Sequence, residues 1–189
     1  MTSSEKAAQP TLYVFFGLIA SGKSTLAELF AEQQGFSYYN TDRVRKELAG
    51  LAANEHRADE MGQGIYTPAF TEKTYQAMLD RAAQDFQYDA AGAVLDGSYS
   101  KATDRHKVCE LAASLGARLR FFLCACSEQE TQRRLALRAQ DPDAVSDGRW
   151  EIFVQQRAKF EQPKELPPPQ LSYIDTEAEP EELLRQLRS

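Results

Sequence analysis

The chain has 189 residues and a formal net charge of −6. That length suits one domain, or one with a small insertion, and ten Phe suffice for a packed core. The acidic balance counts against a grip on long nucleic acid, which ordinarily uses a basic surface, although an acidic chain can still hold a basic cleft. No apolar run approaches the roughly 20 residues of a membrane-spanning helix. The polar stretch Met1–Pro10 reads as a disordered lead-in without the apolar core of a signal peptide. A cytoplasmic protein without an obligate protein partner is expected. Three Cys cannot all pair, and Cys124 and Cys126 lie in an apolar run, so free thiols in a reducing compartment are the simpler reading. His56 and His106 do not combine with the three Cys into a four-ligand pattern, which argues against a metal cluster.

Thr11 to Phe16 is a continuous apolar, β-branched and aromatic run, the pattern of a buried parallel strand. Gly17-Leu18-Ile19-Ala20-Ser21-Gly22-Lys23-Ser24 follows, then Thr25. It fits G-x-x-x-x-G-K-[ST] at every fixed position. Gly17 and Gly22 allow a tight turn, so that the backbone N–H groups around Ala20, Ser21, Gly22 and Thr25 can point at phosphate oxygens. Lys23 can reach the β- and γ-phosphates, and the Ser24 hydroxyl can ligate Mg²⁺. Leu26, Leu29 and Phe30 then recur at helical spacing, and Gly35 follows as a stop. Strand, glycine loop and helix come in the order that an ATP site requires. A ligand-free glycine turn is the bland alternative.

Phe36 to Asn40 reads as a second strand, and Thr41 to Leu48 as a helix with Thr41 or Asp42 as its N-cap. Residues 50–66 are polar without a clear period and read as a mobile loop over the site. Pro68 opens a long helix whose inner face is expected to carry Phe70, Tyr75, Met78, Leu79, Ala82, Ala83 and Phe86. Ala93 to Gly97 is a short buried strand that ends in an acid, Asp96. Lys101 to Leu115 is a helix stopped by Gly116, and Leu119 to Cys126 is the next strand. Ser127 with Glu130 forms a capping box for a helix that carries Arg133, Arg134 and Arg138. Residues 139–148 read as a lid tip, with Ser146 capping a further helix through Phe160. Pro163 and Pro167 to Pro169 make an extended link to a last strand, Leu171 to Asp175. Glu181 to Arg188 is a closing amphipathic helix with acids first and arginines last. Five strands alternating with helices predict an α/β P-loop NTPase fold, a parallel five-stranded sheet sandwiched by helices with a helical lid at about 134–150. Residues 11–189 are expected to form a single domain.

Three sets of residues outside the glycine loop are candidates for chemistry. Asp42 and Arg45 share a helical face just after the second strand. The Asp can take a proton from an attacking hydroxyl and the Arg can hold an anionic group. An N-cap Asp beside a surface Arg fits the spacing equally well. Asp96 stands where a Walker-B acid serves Mg²⁺, or else is the turn-forming Asp of Asp-Gly. Arg134 and Arg138 can close on a triphosphate, or can be part of a solvated basic face like Arg133. Tyr66, Tyr99 and Lys101 are neighbours of a possible substrate pocket.

From about Thr11 to Phe160 the chain resembles the small P-loop kinases of the zeta-toxin and polynucleotide-kinase-like group, often called AAA-type ATP-binding domains. The resemblance rests on residues 17–25, on Thr41-Asp42-Arg43-Val44-Arg45-Lys46-Glu47-Leu48, on Gly64-Ile65-Tyr66-Thr67-Pro68, on Val94-Leu95-Asp96-Gly97 and on Arg134-Leu135-Ala136-Leu137-Arg138. It implies that Asp42 is a general base, that Arg45 grips a substrate phosphate, and that Arg134 and Arg138 are lid arginines. Asp96 is followed by Gly-Ser-Tyr, where many of the group have Ala-Thr or Asn-Thr. The expected activity is ATP- and Mg²⁺-dependent transfer of phosphate to a hydroxyl, of a small molecule or of a nucleic-acid 5′ end. A regulatory ATPase without an acceptor is the alternative, and a toxin-like kinase of nucleotide sugars a third reading.

Overall fold

The computed structural model describes residues 9–52, 64–140 and 150–187. Strand β1 (Thr11–Phe16) is the centre of its sheet. It pairs in parallel with β3 (Gly92–Gly97) on one side and β4 (Arg118–Ala125) on the other. Strand β2 (Ser37–Asn40) adds to the outside of β3, and β5 (Leu171–Asp175) to the outside of β4, both parallel. The order is therefore β2-β3-β1-β4-β5. A strand buried on both faces should be apolar throughout, and Leu12, Val14, Phe15 and Phe16 are all fully buried.

Alternate side chains of β1 feed two cores. Leu12, Val14 and Phe16 pack with Tyr75, Met78 and Leu79 of α3 (Pro68–Gln87) and Val108 of α4 (Ala102–Ser114). Phe15 faces the other way, toward Leu26, Ala27 and Phe30 of α1 (Lys23–Gln34) and the leucines of α7 (Pro180–Leu187). A third, small cluster joins Ala20 to Leu135 of α5 (Glu128–Arg138) and Phe153 of α6 (Trp150–Lys159). It packs the two helices flanking the expected lid tip onto the glycine loop. Residues 141–149 of that tip, Ser146 among them, lie outside the described residues, as do 53–63 of the expected mobile loop and His56.

Several expectations need correction. The N-cap of α2 (Thr41–Leu48) is neither Thr41 nor Asp42. It is Asn40, whose backbone is extended and whose Oδ1 accepts from the N–H groups of Asp42 and Arg43. The capping box at Ser127 is half-formed. Ser127 Oγ accepts from Glu130 N, but Glu130 turns to Arg133 and Arg134, and Glu177 takes the Ser127 N–H instead. Residues Gly64–Tyr66 form a 3-10 turn. Thr74 joins the buried face of α3, its hydroxyl satisfied by the Phe70 carbonyl at 2.8 Å. Phe70, Ala83 and Phe86 are only partly buried. Cys109, Cys124 and Cys126 are free thiols. Among the described residues no helix is long and apolar enough to cross a membrane.

Candidate active site

A cleft of about 720 Å³ opens where β1, β2 and β3 end. Carboxyl ends of parallel strands are where α/β sheets place their ligands, because helix N-termini converge there. One wall is the glycine loop, with Ile19, Ala20, Gly22, Lys23, Ser24 and Thr25. The loop owes its shape to backbone that only small residues accept. Gly17 has φ 144°, and a Cβ there would run into the Cys124 carbonyl. Gly22 has φ 77°, and a Cβ would sit 2.9 Å from Arg134 and Thr176. Gly22 is the N-cap of α1 and supplies no side-chain cap, and the first turn holds no acid. The free N–H groups of that turn and the positive end of α1 thus face the cleft, a ready anion site. Lys23 Nζ donates to the Leu18 carbonyl at 3.1 Å. Of the expected loop ligands, Gly17 and Ser21 do not line the cleft. The Ser21 Oγ is buried without a partner among the described residues, and its carbonyl accepts from Thr176 Oγ1 at 2.7 Å.

Asp42 and Arg45 line the same cleft from α2. Arg45 Nη1 donates to Asp42 Oδ1 at 2.7 Å, and the Arg45 guanidinium lies 5.0 Å from the centre of the Tyr66 ring. Arg45 is buried, and its Nε has no hydrogen-bond partner among the described residues. Stacking and pairing thus hold the guanidinium in one orientation with a donor to spare. Thr71, Ser98 and Ser100 also line the cleft. Of the expected pocket neighbours only Tyr66 lines it. Tyr99 is buried instead, with φ 39° and its ring stacked 4.5 Å from Tyr75. Burial pushes its hydroxyl well above the usual range. Lys101 is the N-cap residue of α4 and is absent from the cleft wall.

Asp96 is fully buried and, unlike Ser24, is not among the residues that line the cleft. Its Oδ2 accepts from the Tyr38 hydroxyl at 2.7 Å and from Asn40 Nδ2 at 2.5 Å. Its Oδ1 has no partner among the described residues. Burial, and then the charge and hydrogen bond of Asp96, raise the Tyr38 pKa far above its ordinary value, so this hydroxyl stays a donor. A hard cation such as Mg²⁺ prefers oxygen ligands and keeps several waters and phosphate oxygens. The Ser24 hydroxyl and the unpartnered Asp96 Oδ1 fit that ion, and among the described residues no group of three His, Cys, Asp or Glu offers a protein-only cage.

The two arginines of α5 separate. Arg138 lines the cleft. Arg134 does not. It donates to Glu130 at 2.7 Å, to the Ala20 carbonyl at 3.3 Å, and to the Thr176 hydroxyl and carbonyl at 3.0 and 2.7 Å. Its guanidinium therefore ties the glycine loop to the end of β5. The helical period puts both arginines on one face, but four residues are one turn, 5.4 Å along the axis. That distance separates the loop's flank from the cleft.

Sequence reasoning overlooked Tyr38, Asn40, Gln156, Lys159 and Thr176. Asn40 carried a signal, since Asn directly before a helix is a favoured cap. Gln156 and Lys159 of α6 line the cleft, and Gln156 accepts from Ile19 N across 137 residues of sequence. No local pattern announces such a contact.

A glycine loop between a central parallel strand and its helix, in a sheet ordered β2-β3-β1-β4-β5, defines the P-loop class of α/β folds. The sequence matches the family model of an AAA domain, AAA_33, over residues 12–163, and the chain belongs to that family. Its fold is similar to a candidate kinase of Chloroflexus aurantiacus (17% identity, 95% of this chain and 97% of that one covered, TM-score 0.70). It is also similar to a gluconokinase of Sinorhizobium meliloti (20%, 96% and 90%, 0.61). A third is the APS kinase of Mycobacterium tuberculosis in complex with AMPPNP and APS (19%, 96% and 96%, 0.62). No curated protein matches the sequence.

Proposed function

We propose that this chain is an ATP-dependent kinase that transfers the γ-phosphate to a hydroxyl group. The observation that carries the reading is one cleft holding both the phosphate loop with Lys23 and Ser24 and the paired Asp42 and Arg45. A simple ATP switch needs the first set and has no use for the second. The loop amides and Lys23 would hold the β- and γ-phosphates. Mg²⁺ held by Ser24 and Asp96 would neutralise phosphate charge as it develops. Asp42 would accept the proton of the acceptor hydroxyl while its oxygen bonds to the γ-phosphorus and the bond to the β–γ bridging oxygen breaks, releasing ADP. Arg45 would orient the acceptor, and Arg138 would face the migrating phosphoryl group. Arg134 would serve by holding the loop in shape.

A small-molecule acceptor is the better-supported class. The cleft that holds Asp42 is also lined by the hydroxyl residues Thr71, Ser98 and Ser100, and the net charge is −6. The names of the similar gluconokinase and APS kinase point the same way. A nucleic-acid 5′-hydroxyl is the second reading, favoured by the Asp42-x-x-Arg45 spacing and the resemblance to polynucleotide kinases and zeta toxins.

The test is transfer of labelled γ-phosphate from Mg²⁺–ATP to a panel of sugars, polyols and drug alcohols, with a short 5′-hydroxyl oligonucleotide alongside. Asp42→Asn should keep nucleotide affinity and lose transfer by about 10²-fold or more, as removal of a general base implies. Label on the oligonucleotide alone would favour the second reading. Label released only to water would sink the kinase reading and leave a regulatory ATPase.

A further inference from the structure

Asp96 is the only fully buried acid among the described residues, and its two oxygens have unlike surroundings. Oδ2 is saturated by Tyr38 and Asn40, while Oδ1 is equally enclosed and has no partner among the described residues. The Asp96 carbonyl accepts from Thr41 Oγ1 at 2.7 Å. All three donors come from residues 38–41, the end of β2 and the start of α2. A buried carboxylate oxygen without a hydrogen bond is rare and points to a partner that the described residues do not supply. Asn40 has a second task. Its Oδ1 accepts from Asp42 N and Arg43 N at 3.0 and 3.1 Å, so it caps the helix that carries Asp42 and Arg45. One amide side chain thus joins the acid at the end of β3 to the acceptor side of the cleft.

We propose that Tyr38 and Asn40 are positioning residues for the cation of the nucleotide complex. They tie down Asp96 Oδ2 and leave Oδ1 alone for the hydration shell of that cation, and Asn40 links this carboxylate to the helix of Asp42 and Arg45. This inference rests on the kinase reading above. The competing account is that these hydrogen bonds merely fasten β2 to β3, which pair at Asn40 and Asp96.

The test measures Mn²⁺ binding to the protein–ADP complex by electron paramagnetic resonance, so it needs no acceptor. Tyr38→Phe keeps the ring and removes the hydroxyl. Asn40→Ser keeps a good capping oxygen and removes the Nδ2 donor. Each variant should weaken Mn²⁺ binding about 10-fold, the usual cost of losing a residue that orients a metal ligand. ADP affinity without metal should stay within about twofold, since neither side chain belongs to the phosphate loop. Mn²⁺ affinities unchanged in both variants, even with lowered melting temperatures, would overturn the proposal in favour of a strand tether. Should Tyr38→Phe fold poorly, Asn40→Ser decides alone. If neither ADP nor Mn²⁺–ADP binds the parent chain, the kinase reading itself falls, a result distinct from equal affinities.

Discussion

Gln156 of α6 accepts a hydrogen bond from the main-chain N–H of Ile19 at 2.8 Å. The helix that follows the expected lid tip therefore touches the glycine loop directly. The loop amide it occupies precedes Ala20, whose backbone is left-handed (φ 60°). Gln156→Ala should leave that N–H to water and loosen the loop. Nucleotide affinity is expected to fall about fivefold to tenfold, in line with one lost hydrogen bond. Titration with a fluorescent ATP analogue would show it, and an unchanged affinity would mean the contact does not support the loop.

Lys23 leans on the Leu18 carbonyl at 3.1 Å in this structure. Its replacement by Ala should hardly alter thermal stability, because a partly exposed ammonium on one carbonyl contributes little. Triphosphate binding or turnover should drop by about 10-fold or more, since a charge-assisted contact to phosphate is lost. Calorimetric titration together with a melting curve separates the two effects, and intact binding and turnover would undo the phosphate-loop assignment.

Arg134 fastens three pieces of chain, and the fork shape of its guanidinium is what lets it do so. Lysine has the charge without the fork. Arg134→Lys is expected to cost about 2 kcal/mol of folding stability, the scale of hydrogen bonds to a charged donor. Urea denaturation would measure it. If stability held while transfer collapsed, Arg134 would belong to the chemistry after all, in the role first expected from its place in the sequence.

Glu130 accepts from Arg133 and Arg134, and those hydrogen bonds lower its pKa to about 2. The folded-state pKa lies below the unfolded one, so the stabilisation is fully present above about pH 4.5 and drains away as pH falls toward 2. The melting temperature of the parent should exceed that of Glu130→Gln at pH 7. The two curves should converge as the pH is lowered from about 5 to 2. A gap that stayed constant to pH 2 would show that the ion pairs contribute nothing pH-dependent.

Much of this molecule was legible from local pattern. The apolar run Thr11–Phe16, the eight-residue glycine loop and the alternation of strands with helices predicted the five parallel strands and the tight loop between β1 and α1, because both are set by short-range rules of periodicity and backbone freedom. Asp42 and Arg45 could be paired from a spacing of three, since one helical turn fixes their distance. Other roles were decided only by tertiary structure. Arg134 and Arg138 look alike in sequence, and the docking of α5 on the glycine loop sends one to Thr176 and Ala20 and the other to the cleft. Tyr99 reads as a pocket residue, and a left-handed backbone turns it inward onto Tyr75. Tyr38, Gln156 and Thr176 meet partners 58, 137 and 155 residues away. Contacts across such spans depend on strand order and helix packing, which no window of sequence contains.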